Sequence, residues 1–174
     1  INYPVYYKIK VDFKTSNHLE TTVTSTLKNL LYKNDMKLYL NTISDENILD
    51  TNTYTHSVVN NVITITFNAD FVSNLTDSDY VWICYSANLN KTAATGSATS
   101  NNRNSTTLQY SQQTISSDVK VHTYRFDIAK TDESNVLLSG GEFRIYNEHG
   151  NVLKFEYVEN VDSYYINPDG NEKI

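Results

Sequence analysis

Two side chains occupy positions where their chemistry would matter. In the run Tyr124-Arg-Phe-Asp-Ile-Ala-Lys130, strand alternation puts Tyr124, Phe126, Ile128 and Lys130 on one face, so an ammonium falls in register with apolar neighbours. Burying that charge alone is unfavourable, and desolvation favours the neutral amine, which is a nucleophile. The plainer reading is a strand-end lysine whose stem follows the core edge while its head reaches water. Asn104 shares a face with Thr106, Leu108 and Tyr110, which aims its amide inward. Its plainer reading is a strand-edge asparagine bonded to a turn. A neutral lysine that attacks such an amide carbonyl forms one C–N bond, releases one ammonia and leaves a secondary amide as a cross-link. The step needs a protonated carboxylic acid beside the carbonyl, which a low-dielectric core can supply.

Strands must position these groups, and period-two alternation dominates the 174 residues. Val5, Tyr7, Ile9, Val11 and Phe13 share a face, leaving Lys8 and Lys10 to solvent. Further runs lie at Val23 to Leu27, Met36 to Leu40, Ile63 to Phe67, Val81 to Leu89 and Asn104 to Tyr110, separated by Asn/Asp/Ser/Thr clusters that read as turns. Only Leu27 to Lys33 and Ala69 to Leu75 could hold a helical turn. The chain has 22 Asn, 20 Thr and 14 Tyr but 6 Ala, a balance that favours strands and turns over helices. Short strands at this spacing predict an all-β fold of the sandwich type. Gln112 to Asp118 reads as a boundary, because alternation restarts at Val119, Val121 and Thr123. Residues 1–115 and 116–174 are therefore expected to be separate units, the second of them incomplete for a sandwich.

Composition excludes several functions. A net charge of -6 and a pI near 5.1 give no basic footprint for nucleic acid or an anionic membrane surface. No apolar run approaches the ~20 residues that span a bilayer. The single Cys84 rules out an internal disulfide, and nothing beside it would lower its thiol pKa. His18, His56, His122 and His149 stand apart, so they read as surface or packing residues and no metal is expected. Asp45-Glu46 and Asp77 to Asp79 lack the ligand alternation and turn glycine of an EF-hand. Gly140-Gly141 runs into the strand-like EFRIY and not into a phosphate-binding helix. The sequons at Asn74, Asn90 and Asn104 are fewer than the roughly four or five that 22 Asn and 36 Ser+Thr yield by chance, and carry no information.

The segment YRFDIAKTDESNVLLSGGEFRIY, Tyr124 to Tyr146, resembles the opening of a Cna B-type domain of Gram-positive pilins and adhesins: a strand ending Lys-x-Asp, a variable turn, then Leu-x-Gly-Ala-x-Phe-x-Leu. Gly141 stands for the usual alanine and Ile145 for the usual leucine. Residues 1–113 resemble the preceding Cna A-like fimbrial isopeptide-forming domain through VYYKIKV, VTSTLKNLL, ITFNADFVSNL, ICYSANL and NSTTLQYS, in that order. The resemblance implies two consecutive immunoglobulin-like β-sandwich domains, each with a Lys-Asn isopeptide bond catalysed by an Asp or Glu. By this resemblance Lys130 is the bonding lysine of the second domain, with partners beyond Ile174. Asn104 is the bonding asparagine of the first, with its lysine on a strand upstream of Ile1. The catalytic aspartate of the family's V-T-D-T-L run falls at Ser25, whose hydroxyl cannot serve as that acid.

The resemblance further implies a structural subunit, shaft or tip, of an extracellular, cell-wall-attached pilus assembled by sortase with neighbouring pilin subunits. The alternative it leaves is a wall-anchored adhesin that binds a host matrix protein or glycan. A hydrolase on a β-sandwich would need paired carboxylates at a cleft, and no such pair is evident. The expectation is a non-enzyme without cofactors, whose chemistry is self-directed and single-turnover. Isothermal calorimetry with zinc and with ATP is accordingly predicted to show no stoichiometric, tight uptake; either would contradict the exclusion of metal and nucleotide sites.

Overall fold

Alternation along the chain becomes two facing antiparallel sheets. The computed structural model describes residues 4–13, 21–90, 93, 102–110, 113–124, 126–159 and 162–174. One sheet is built on β7 (Tyr80–Leu89), which pairs with β1 (Pro4–Asp12) on one side and with β3 (Leu30–Tyr32) and β4 (Lys37–Leu40) on the other. The second runs β5 (Tyr54–Val59), β6 (Val62–Phe67), β2 (Thr21–Lys28), β8 (Arg103–Tyr110), β9 (Gln113–Lys120). Val81, Ile83, Tyr85 and Ala87 of β7 are buried against Val23 and Leu27 of β2 and Ile63, Ile65 and Phe67 of β6, all within one apolar cluster. A period of two on each strand, with one wet face, is what such a sandwich demands. The chain is nearly all β, as its alternation predicts.

The turns explain the asparagine content. Among the described residues seven non-glycine residues have positive φ, and six of them are asparagine: Asn29, Asn34, Asn41, Asn60, Asn61 and Asn135. Asn tolerates the left-handed region because its short amide can bond locally. Asn60 and Asn61 form the two-residue link of the β5–β6 hairpin, closed by the Val59–Val62 pair, where two positive φ values match the twist of the strands. Asn29, at φ 57°, turns the chain from β2 in one sheet to β3 in the other, so Leu27 and Leu30 are both buried but belong to different sheets. Leu27 to Lys33, which could have held a helical turn, is thus a strand corner. Ala69 to Leu75 does hold the short helix α1 (Ala69–Ser73), with Val72 buried.

Two expectations are revised. The boundary read at Gln112 to Asp118 coincides with β9 (Gln113–Lys120), paired along its whole length with β8, so the 115/116 division falls inside a strand. The described residues of 121–154 form no ladder beyond the isolated bridges Thr131–Leu137 and Tyr146–Val152, and no strand ending at Lys130 is formed among them. Beyond them the hairpin β10 (Phe155–Val158) and β11 (Ser163–Ile166) pairs, and Phe155 forms an isolated bridge with Asn171. Gly170 packs so tightly beneath it that a Cβ would overlap the carbonyl of Phe155, whose N–H and C=O both bond Asn171. Tyr124 is 90% exposed, and Phe126 and Ile128 are exposed too, so the face that alternation marks as inward lies uncovered.

These differences in packing predict a mutational contrast. Ile83→Ala, at the centre of the sandwich, should cost about 2–5 kcal/mol, whereas Tyr124→Ala should change stability by less than about 0.5 kcal/mol. Urea unfolding followed by the fluorescence of Trp82, the single tryptophan, measures both.

Candidate functional site

Four inward-facing polar side chains meet in the core of the sandwich. Strand β8 presents Asn104, 2% exposed, between Leu27 of β2 and Val119 of β9. Its Nδ2 donates to the phenolic Oη of Tyr85 on β7, 2.5 Å away. Ser25, fully buried on β2, is hydrogen-bonded with Thr106 Oγ1 at 3.0 Å and with the same Tyr85 phenol. Ser25 and Asn104 are therefore joined through Tyr85. Tyr7 of β1 completes the group, its ring 5.3 Å from that of Tyr85. Tyr32 of β3 meets the same ring edge-on, 5.8 Å away. Two buried polar atoms in this group have no partner among the described residues: Tyr7 Oη and Asn104 Oδ1.

The electrostatics are those of a neutral pocket. Burial, helped by the neighbouring Tyr85, pushes the Tyr7 phenol from 10.0 up to about 12. Burial also raises Tyr85, against the lowering effect of its bonds to Ser25 and Asn104. The buried polar residues described are Thr21, Ser25, Ser86, Asn102 and Asn104, with no carboxylate and no ammonium among them. The site thus contains one amide and several hydroxyls, with no buried carboxyl and no buried amine among the described residues. Its present arrangement is a hydrogen-bonded tie between the sheets.

Lys130 lies elsewhere. Its side chain is exposed and its stem runs over Gly141, where an added Cβ would stand 3.3 Å from Lys130 Cδ, while its carbonyl accepts from Leu138 N–H. The residues that alternation groups with it, Tyr124, Phe126 and Ile128, are exposed, so the burial expected from parity does not arise among the described residues. Lys8 and Lys10 do face solvent, with Lys10 bridged to Asp12 at 2.7 Å. Cys84 lies opposite Lys8; burial raises its thiol pKa and the lysine only partly opposes this, consistent with an unreactive thiol. Among the described residues no His/Cys/Asp/Glu group could hold a metal, and His18 lies outside them. Asp79 of the acidic loop instead ties strand ends together: it accepts from Asn41 Nδ2 and from Thr76, bonds that lower its pKa, while Asn41 Oδ1 accepts from Tyr80 N–H.

Sequence reasoning missed Tyr7 and Tyr85. Alternation had placed both on inward faces, and the available signal was that a buried phenol must either bond or remain an orphan.

No family model matches the chain, and no curated protein matches it significantly. Solved structures do. A backbone pilin of Streptococcus pyogenes superposes on 98% of the chain with a TM-score of 0.65 at 16% identity. The pilus 2b backbone protein of group B streptococcus does so over 98% with 0.66 at 17%. The fold is that of Gram-positive pilins. The N-terminal domain of a Streptococcus gordonii adhesin matches 67% of the chain with 0.55 at 17% identity. The chain spans 46%, 68% and 28% of these three structures respectively.

The buried phenols give a prediction at high pH. Below pH 10 Tyr7 is neutral in both folded and unfolded chains, so its burial contributes fully; between 10 and about 12 only the unfolded chain ionises, and stability is lost. Tyr85, Tyr32 and Tyr54, raised mainly by burial, act in the same direction. Absorbance titration should show a late group of phenols that ionise together with unfolding, and Tyr7→Phe should make the alkaline loss shallower. Early, independent ionisation of every tyrosine would contradict the buried cluster.

Proposed function

We propose that the chain is part of a structural subunit, shaft or tip, of a Gram-positive surface pilus, attached to the cell wall and assembled by sortase with neighbouring pilins. The observation that carries this reading is the likeness to two backbone pilins across 98% of the chain. Its role is mechanical: a covalent tie inside a β-sandwich limits how far the chain can extend or open to proteases, as a disulfide does elsewhere. Such a protein turns over no substrate. Likeness to an adhesin domain supports a second reading, in which the segment belongs to a wall-anchored adhesin that grips a host matrix protein or glycan.

In this proposal the chain holds a Cna A-like domain ending after β9 and the first part of a Cna B-type domain. The exposed Tyr124, Phe126, Val136, Leu137 and Tyr146 favour the latter, since so many large apolar side chains left exposed in one short segment call for a covering partner. In the full-length protein that cover comes from strands beyond Ile174, which bury Lys130 and supply its asparagine and acid. Asn104 awaits a lysine from upstream of Ile1, and Ser25 at the acid's position leaves the first domain unbonded.

Intact mass of the full-length protein tests this directly, since each bond removes one ammonia. One ammonia should be missing, and Lys130→Ala should abolish that deficit and open the second domain to trypsin. A second deficit should appear only with Ser25→Asp. Full mass with Lys130 freely acetylated would overturn the covalent reading, and saturable binding to a matrix protein would favour the adhesin.

A further inference from the structure

The outer face of the β7 sheet sorts its side chains by type. Register sets Lys8 of β1 and Lys37 of β4 on either side of Cys84, which makes one row across the sheet. The next row reads Lys10, Trp82, Tyr39, Ile48, the last joined to Tyr39 by an isolated bridge. Parity puts these residues opposite the core, where Ile9, Val81, Ile83 and Leu38 point. Tyr39 is buried without belonging to the core cluster, so its neighbours Trp82 and Ile48 cover it and the second row becomes an apolar strip. Cys84 is far smaller than Trp82, so the surface between the lysine stems dips beside the indole.

The charges on this face differ in their ties. Lys10 Nζ bridges Asp12 at 2.7 Å and stands 4.2 Å over the Tyr80 ring, which meets Trp82 edge-on with centroids 6.1 Å apart. Across the dip, Asp35 accepts from Ser86 N–H at 2.8 Å and from its hydroxyl at 2.5 Å. Lys8 and Lys37 are exposed and form no ion pair with another described residue. Their backbones stand two strand spacings apart, about 9–10 Å, so their flexible stems can bring both ammoniums onto one anion held above Cys84.

We propose that this face binds an acidic host glycan, through a pyranose whose carboxylate lies between the Lys8 and Lys37 ammoniums and whose ring rests against half-buried Trp82. An aromatic face carries negative charge density, which suits the C–H side of a sugar ring. A dense polyanion is disfavoured, because a chain at -6 repels it and two untied ammoniums neutralise little of it. An acidic peptide would need an edge or a groove for its backbone, and β7 is bonded along both sides, so this face offers side chains alone. The inference deepens the adhesin reading and rests on it; no covalent bond enters it.

Binding of the full-length protein to an immobilised hyaluronan octasaccharide, in which carboxylated and neutral rings alternate, tests the site. Binding should saturate, weaken with added salt, and be absent on a neutral chitin oligosaccharide. The bound octasaccharide should slow acetylation of Lys8 and Lys37, read by peptide mass spectrometry, and leave exposed Lys120 of β9 unchanged. Replacing both exposed lysines, Lys8→Gln with Lys37→Gln, should weaken binding on the order of tenfold, whereas Lys120→Gln should not. No binding, equal binding of the neutral sugar, or tighter binding of heparin or poly-glutamate would overturn the proposal. Hyaluronan binding that the double variant leaves intact would remove this site while the adhesin reading stands. Failure to bind any glycan or matrix protein would remove both.

Discussion

One strand organises the sandwich: β7 is the partner of every other strand in its sheet. Its ten residues bond to β1 along one edge and to β3 and β4 along the other, while Val81, Ile83, Tyr85 and Ala87 form the apolar floor on which the opposite sheet rests. None of those three partners bonds another, so the sheet exists only through β7. Hydrophobic burial supplies most of the free energy, but the register of β7 decides which groups are buried. A slip by one residue would turn Trp82 and Cys84 inward and Tyr85 out, removing the phenol that links Ser25 and Asn104.

That phenol makes a reversible connection. A carboxylic acid, an amine and an amide in a dry core can react; hydroxyls and an amide in the same place can only share protons. Ser25, Tyr85 and Asn104 therefore hold the sheets by bonds that break and re-form at thermal energies, each contributing on the order of 1 kcal/mol. Under load such a tie yields and recovers, whereas an amide cross-link would not yield at all.

Much of this was legible in the residues. The runs at Val5, Val23, Met36, Ile63, Val81 and Asn104 became β1, β2, β4, β6, β7 and β8 because one wet and one dry face write themselves as alternation. β5 and β9 escaped for the same reason: apart from Tyr54 their residues are exposed, so no face needed to be apolar. The inward aim of Asn104 followed from parity, since every second residue of a strand must share its face. Its partners did not, because Tyr85, Ser25 and Tyr7 come from three strands distant in sequence, and only the packing of the sheets brings them together. The parity of Lys130 had no such support. Alternation fixes which side chains share a face but not whether anything covers that face.

The asparagine turns carry a cost of a different kind. A chain with five glycines uses asparagine at most of the described positions where its backbone turns left-handed, notably at Asn60-Asn61 and at the Asn29 corner. Glycine would hold the same angles with no reactive side chain. An asparagine amide adjoins the next backbone nitrogen and is a thermolabile group. Slow hydrolysis there would replace a neutral turn residue by an acidic one, in a chain already at -6. Ageing of the fold would then begin at its corners, as a chemical clock that its well-packed interior cannot stop.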